Sequence, residues 1–231
     1  MRIVIFGASG PTGRLLTTQA LAAGHKVTAV TRRPGAIARQ DQLEVAVADV
    51  TDPEAVDSIV DGNDAVASVL GVPLTGKPVS LYSTGVGNQI TAMRRHGVRR
   101  LVAVSSSVLD PGWRPSNAWF FNTVLDPYVN RRLGRTVHED MRRMEALISD
   151  SGLDWTIVRA SGLFNHPQVT GYQIAEGSAD GVFTARTDLA AALLEQLTDD
   201  RYVHKAIGVV TTAVRPNVAK LVRQEMLAKK T

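Results

Sequence analysis

The chain has 231 residues, 44% hydrophobic and 21% charged, with a formal net charge of +4, a composition that suits one globular domain. It contains no cysteine, which excludes disulfides, thiolate metal sites and cysteine nucleophiles. Its five histidines, His25, His96, His138, His166 and His204, form no HExxH or other close ligand pair, so no metal centre is expected.

The N-terminal run "MRIVIF" is too short for a secretory signal and gives way at once to a glycine turn. No stretch approaches the roughly 20 apolar residues that span a bilayer. A cytoplasmic protein without membrane contact is expected. Arginine dominates the basic side and comes in pairs: Arg32/Arg33, Arg94/Arg95, Arg99/Arg100, Arg131/Arg132 and Arg142/Arg143. Most pairs fall near predicted helix or strand ends, where solvated cations are ordinary. No basic face interleaved with aromatics accompanies them, so no nucleic-acid partner is expected.

Apolar runs of strand length recur at 2–6, 26–31, 43–48, 64–70, 100–106, 155–159 and 206–212. Rich in Val, Ile and Thr and not cleanly alternating, they read as parallel strands buried on both faces. Helical patterns lie between them. Residues 11–23 open at Pro11 and close before Gly24. "VGNQITAMRRHG" places Val86, Ile90 and Met93 at helical spacing and ends at Gly97, a left-handed stop. "TVHEDMRRMEALISDSG" opens with Thr136-x-x-Glu139, a capping-box signature, carries Met141, Met144 and Ile148 on one face and stops at Gly152. The tail after Pro216 reads as a basic terminal helix. The alternation predicts an α/β fold, a Rossmann-type doubly wound parallel sheet with helices on both faces and right-handed crossovers. One domain over 1–231 is expected, with a small C-terminal lobe built from inserts at about 107–135 and 162–186.

The first strand runs directly into "GASGPTG". Gly7, Gly10 and Gly13 follow a strand and open a helix, the context of a dinucleotide-binding turn. There one glycine permits the tight turn, one lets the backbone approach a pyrophosphate, and one lets helix and strand pack closely. The spacing is G-x-x-G-x-x-G, and Ser9 and Thr12 add hydroxyls within reach of phosphate oxygens. About 20 residues on, where NAD enzymes carry an acid for the ribose 2′-hydroxyl, "VTAVTRRPG" carries Arg32 and Arg33. Guanidinium groups there pair with a 2′-phosphate and stack on adenine, so the expected cofactor is NADP(H).

From these residues onward the chain resembles the atypical short-chain dehydrogenase/reductase group, and within it NmrA-like proteins and the flavin reductase/biliverdin-IXβ reductase family. The likeness is carried by "IFGASGPTGRLL", "VTRR", "VAVADVTDPEAV", "DAVASVLG", "AMRRHGVRRLVAVSSS" and "MEALISDSGLDWTIVRASGL". It implies that Asp49 and Val50 flank the adenine and that Leu70 and Gly71 run along the cofactor riboses. It places Ser106 beside the nicotinamide with Ser105 adjoining. It also implies that "RASGL", with Ser161, passes the carboxamide through its backbone. The chain departs from the group in two ways. It has no Tyr-x-x-x-Lys; Tyr128 and Arg132 have the spacing but lie in an irregular insert. Where the biliverdin/flavin reductases carry a histidine near Gly162, the nearest here is His166.

Without a tyrosine–lysine pair, no tuned proton acceptor for alcohol oxidation is evident. Ser105, Ser106 and Ser107 are candidates to orient an acceptor or, alternatively, to cap the strand end. His166 is a pocket candidate, whereas His138 at a helix head reads as solvent-exposed. Reduction of a flavin or quinone asks less, because stacking on the nicotinamide supplies proximity and solvent supplies the proton. The insert 110–132, with Trp113, Trp119, Phe120, Phe121, Tyr128 and three arginines, suits either a flat anionic acceptor or a packed seam. The leading expectation is an NADPH-dependent reductase of a planar conjugated acceptor, flavin or quinone in class, acting as a monomer or homodimer. Ser106 and His166 are its catalytic candidates. The alternatives are a reductase, dehydrogenase or isomerase of an unidentified metabolite, and a non-enzymatic NADP(H) sensor of NmrA type that binds a protein partner.

Overall fold

The computed structural model describes residues 1–38, 40–73, 75, 77–116 and 134–216. Trp119, Phe120, Phe121, Tyr128, Arg132 and the tail helix expected after Pro216 lie outside the described residues.

The seven runs read as strands are all present. In chain order the elements are β1 (Arg2–Phe6), α1 (Pro11–Ala22), β2 (Lys26–Thr31), β3 (Leu43–Val47), α2 (Pro53–Val60), β4 (Ala65–Ser68), α3 (Leu81–His96) and β5 (Arg100–Ser106). A 3-10 turn over Ser107–Leu109 follows, then α4 (Arg135–Ser149), β6 (Asp154–Ala160), β7 (Gly162–Phe164), β8 (Tyr172–Glu176), β9 (Phe183–Ala185), α5 (Arg186–Thr198) and β10 (Lys205–Thr211). The eight-stranded sheet has the order β3-β2-β1-β4-β5-β6-β10-β8. Its pairs are parallel except β8, which runs antiparallel to β10. The strand order reverses at β1, and the crevice above the carboxyl ends of β1 and β4 is where open α/β sheets bind ligands.

Both faces of the sheet are covered, which explains why the strands do not alternate. Ile3 and Ile5 face Leu16 and Ala20 of α1 and Leu189 and Leu193 of α5. Val4 and Phe6 face the other way, toward Val56 of α2, Val86, Ile90 and Met93 of α3, and Met144 and Ile148 of α4. Helix α2 is capped by Asp52, whose carboxylate accepts from the amides of Glu54 and Ala55. Helix α3 ends at Gly97 with φ 70°, the expected left-handed stop, after Arg94, Arg95 and His96 in its last turn, where cations suit the dipole.

The capping box does not form. Helix α4 is capped two residues earlier, at Gly134. Thr136 therefore sits inside the helix and its hydroxyl donates to Thr75 O at 2.9 Å. Glu139 instead pairs with Arg135 at 2.7 Å. His138 is buried at the head of this helix, contrary to the exposed reading.

Of the segment 162–186, β7 and β9 pair with each other in a two-stranded parallel sheet, while β8 extends the main sheet. The first insert meets this segment where it crosses β10, with Ala179 against Gly208. Trp113 Nε1 donates to Ala179 O at 3.3 Å, and the Ser116 amide donates to Asp180 Oδ1 at 2.6 Å.

Candidate functional site

The glycine loop closes tightly over the end of β1. Gly7 has φ 84°, and a Cβ there would collide with the Val69 carbonyl. A Cβ on Gly13 would collide with Gly7 O and lie 2.8 Å from Ala8 Cα. A Cβ on Gly10 would lie 3.2 Å from Gly7 O. The Gly10 amide donates to Gly7 O at 3.0 Å, so the loop is a folded turn that only small residues permit. Gly10 is also the N-cap of α1, and Pro11 supplies no N–H. The first hydrogen bond of the helix runs from Arg14 N to Gly10 O at 2.9 Å, which leaves the amides of Thr12 and Gly13 without an intrahelical acceptor. The first turn of α1 carries no acid. The positive end of the helix dipole is therefore uncompensated and suits an anion. Ser9 is half-buried and Thr12 buried beside it.

Strands β2 and β3 bring the next group to the same edge. Arg32 and Arg33 follow the last residue of β2 and are exposed. The Arg33 amide donates to Thr31 Oγ1 at 3.2 Å. Asp49 lies beyond β3, and its Oδ1 accepts from the Thr51 amide and hydroxyl at 2.9 and 2.7 Å. Those bonds, with Arg32 nearby as a weaker contributor, hold the Asp49 carboxyl below its ordinary pKa. Val50 is buried, and Asn88 of α3 donates to its carbonyl at 3.0 Å. Gly85 of α3 makes room there: a Cβ would lie 2.9 Å from Val50 Cγ1 and 3.0 Å from Leu70 Cδ1. Leu70 is half-buried and Gly71 exposed. Both sit in the loop after β4, whose Val72 amide donates to the Tyr82 hydroxyl at 3.1 Å.

The three serines at the end of β5 and just past it differ in their surroundings. Ser105 is buried and its hydroxyl has no hydrogen-bond partner among the described residues. Ser106 Oγ accepts from the Val108 amide at 3.4 Å, capping the 3-10 turn. Ser107 Oγ donates to Arg159 O at 3.3 Å. In the strand register Ser106 lies opposite Ala160, so the start of "RASGL" adjoins it. Ser161 itself is buried and engaged: its amide and hydroxyl both meet Thr184 Oγ1, at 3.2 and 2.9 Å. His166 is half-buried beyond β7, with Nδ1 in a local turn with Gln168, 2.8 Å from its carbonyl and 3.3 Å from its amide.

Three supporting residues were not read from the sequence. Arg14 follows Gly13, and its guanidinium donates to Ser9 O at 3.0 Å and Ala36 O at 2.8 Å. Tyr82 is described above. Asp140 of α4 is fully buried and caps α3 by accepting from the amides of Tyr82 and Ser83. Arg14 was visible in the quoted motif; Asp140 acts on a helix far away in sequence, and Tyr82 reaches back into an irregular loop, so neither carries a local signal.

A second cleft, of about 770 Å³, lies at the opposite end of the strands, lined by Asp64, His96, Arg99, Arg100, Asp154 and Asp200 among others. Its cations are engaged: Arg99 pairs with Asp154, and Arg100 donates to Asp154 O, Thr156 Oγ1 and the carbonyls ending α5. It lacks the glycine cradle, so the carboxyl edge is the candidate site. Among the described residues no group of three or more His, Asp or Glu is placed to hold a metal ion, and no helix is long and apolar enough to cross a membrane.

Comparison with known proteins identifies the family and the fold. An uncharacterized protein of Mycobacterium tuberculosis strain H37Rv is 30% identical over 165 residues, which is 71% of this chain and 15% of that protein. The chain thus spans about a seventh of the length of the mycobacterial relatives it matches. A short-chain dehydrogenase/reductase of Veillonella parvula solved in complex with NADP superposes with a TM-score of 0.75 at 20% identity, covering 94% of this chain and 98% of that one. An anaerobilin reductase of Escherichia coli O157:H7 superposes with a TM-score of 0.73 at 20% identity, covering 94% and 100%. These two likenesses concern the fold. Residues 7–200, from the first glycine of the cradle to just past α5, match the NAD(P)H-binding family, and the chain belongs to that family.

Proposed function

We propose that the protein is an NADPH-dependent reductase of a planar conjugated acceptor, flavin or quinone in class, related most nearly to the NmrA-like and flavin reductase branch of the atypical short-chain dehydrogenases/reductases. One observation carries the reading: the dinucleotide cradle is complete, while α4, the helix following β5, contains neither tyrosine nor lysine. A carbonyl substrate that must be protonated by the enzyme has no partner there. An electrophilic conjugated ring needs only close stacking and a proton from solvent.

The residues divide the work as follows. The amides of Thr12 and Gly13 hold the pyrophosphate, with Ser9 and Gly10 at the turn. Arg32 and Arg33 take the 2′-phosphate, which favours NADPH over NADH. Asp49 and Val50 flank the adenine; Leu70 and Gly71 follow the riboses. When bound, the reduced nicotinamide supplies the hydride. The Ser106 hydroxyl accepts from Val108 through a lone pair and keeps its own proton to donate, so it orients an acceptor oxygen. His166, tied to Gln168 through Nδ1, keeps Nε2 for the same ligand. An anaerobilin reductase stands among the fold relatives, in keeping with a reductase. The reading calls for a small-molecule acceptor and for neither nucleic acid nor membrane.

The test is NADPH oxidation, followed by nicotinamide absorbance, with FMN, riboflavin and a small quinone offered in turn to protein stripped of nucleotide. Turnover with one of them is expected. Ser106→Ala should then lower kcat about tenfold, the worth of one hydrogen bond gained in the transition state, with NADPH affinity unchanged. Binding of NADPH without turnover on any acceptor overturns the flavin or quinone reductase and leaves the sensor or an enzyme of an unidentified metabolite.

A further inference from the structure

Arg14 stands where its own helix does not favour it. It lies at the end of the first turn of α1, where the dipole is positive and a cation is disfavoured. It is exposed and has no carboxylate partner among the described residues. Other arginines of the molecule do find acids: Arg95 with Asp57, Arg99 with Asp154, Arg159 with Glu145 and Arg201 with Asp199. Arg14 instead donates from Nε to Ser9 O and from Nη2 to Ala36 O. The first carbonyl belongs to the glycine loop. The second belongs to the turn that carries Arg32 and Arg33, which is closed by Gly35 at φ 72° and by an Ala36 amide bond to Arg33 O at 3.3 Å. Two of the five guanidinium N–H groups are thereby used and three are left.

We propose that Arg14 is a specificity-determining residue for the cofactor's 2′-phosphate, an inference that rests on the assignment of Arg32 and Arg33 to that group. Its guanidinium straps the glycine loop to the arginine turn, so that pyrophosphate and 2′-phosphate are read at a fixed separation. Its charge adds to the two arginines beyond β2. A dianion bound there relieves the repulsion among the three cations and the unfavourable placement of Arg14 at the helix N-terminus. The planar fork matters as well as the charge, because an ammonium cannot span two carbonyls with parallel donors.

The experiment measures binding of 2′,5′-ADP and of 5′-AMP by calorimetry to wild type, Arg14→Gln, Arg14→Lys and Arg32→Ala. Arg14→Gln is expected to weaken 2′,5′-ADP about tenfold, the worth of one charge-assisted contact, and 5′-AMP less than about twofold. Arg14→Lys should fall between wild type and Gln. If Arg14→Gln shifts both ligands equally, or neither, Arg14 is at most a loop staple and the proposal fails. Arg32→Ala reports on the underlying assignment. A selective loss there with an unselective Arg14→Gln keeps the 2′-phosphate site and removes Arg14 from it. An unselective Arg32→Ala overturns the assignment of Arg32, and a selective Arg14→Gln in that case places the phosphate on Arg14 itself. Should Arg14→Gln not fold, Arg14→Lys carries the same comparison.

Discussion

The Tyr82 hydroxyl accepts the Val72 amide at 3.1 Å from the first turn of a helix whose own N-terminus is held by Asp140. The phenol is 2% exposed, and burial raises its pKa, so it stays neutral. This ties the loop that follows β4, with Leu70 and Gly71, to the α3–α4 layer. Tyr82→Phe removes the acceptor and leaves a half-buried amide unpaired, a cost of about 1 kcal/mol. The expected outcome is a drop of about 2–4 °C in Tm and dinucleotide affinity weakened about threefold to tenfold. An unchanged affinity would show that the loop does not depend on this bond.

Two glycines of the site separate steric need from ligand need. Gly13 has no room for a methyl group against Gly7 O and Ala8 Cα, whereas a Cβ on Gly71 meets nothing within 4 Å. Gly13→Ala should therefore destabilise the free protein by about 1–3 kcal/mol, as overpacking does, and abolish nucleotide binding. Gly71→Ala should melt like wild type, and any loss of NADPH affinity it shows comes from contact with the cofactor. Equal melting temperatures for the two variants would contradict the tight turn described here.

The contrast between what was readable and what was not follows from where each signal resides. The central strands were legible because a strand buried on both faces is an apolar run with no polar interruption, as in Ile3 to Phe6, and the edge strand β3 was legible from its Val and Ala despite Glu44 and an exposed Val47. The glycine cradle was legible because its turn is local. Helix α5 was not read: Leu189, Ala190, Ala192, Leu193 and Leu197 are buried together with Thr187, Asp188 and Gln196, so no polar face marks the period. Strand β8 was missed because its residues are half-buried or exposed and its partner, β10, lies far along the chain. The false capping box shows the limit of a local motif. Thr136 instead donates its hydroxyl to Thr75 O, a tertiary contact that four consecutive residues cannot announce.

Asp188 anchors the second insert to α5. Fully buried, it accepts from the Thr170 amide at 2.7 Å, the Thr170 hydroxyl at 2.8 Å and the Thr211 hydroxyl. Thr211 in turn accepts the Ala185 amide at 2.8 Å. Asp188→Ala leaves buried donors without an acceptor and should cost about 3–4 kcal/mol, lowering Tm by about 10 °C. Asp188→Asn keeps the shape and one carbonyl oxygen and should recover part of that loss. Chemical denaturation of the three proteins measures both steps, and a loss under about 1 kcal/mol for Asp188→Ala would contradict the role given to this network.

Tyr172 gives the fold an alkaline limit. Its hydroxyl donates to Glu195 Oε2 at 3.4 Å, and burial first, with the nearby Glu195 carboxylate second, pushes its pKa up to about 12. The unfolded chain releases that proton near the ordinary tyrosine value of about 10. Between these values the folded state binds one more proton than the unfolded state, so stability falls as pH rises. The contribution is complete below about pH 10 and is lost as pH climbs toward 12. Tyr172→Phe has no proton to lose there. Urea melts at pH 9, 10 and 11 should show wild type losing stability faster than Tyr172→Phe over that interval, and Glu195→Gln should reduce the difference by removing the repelling carboxylate. Parallel curves for wild type and Tyr172→Phe would mean that the phenol titrates alike in both states.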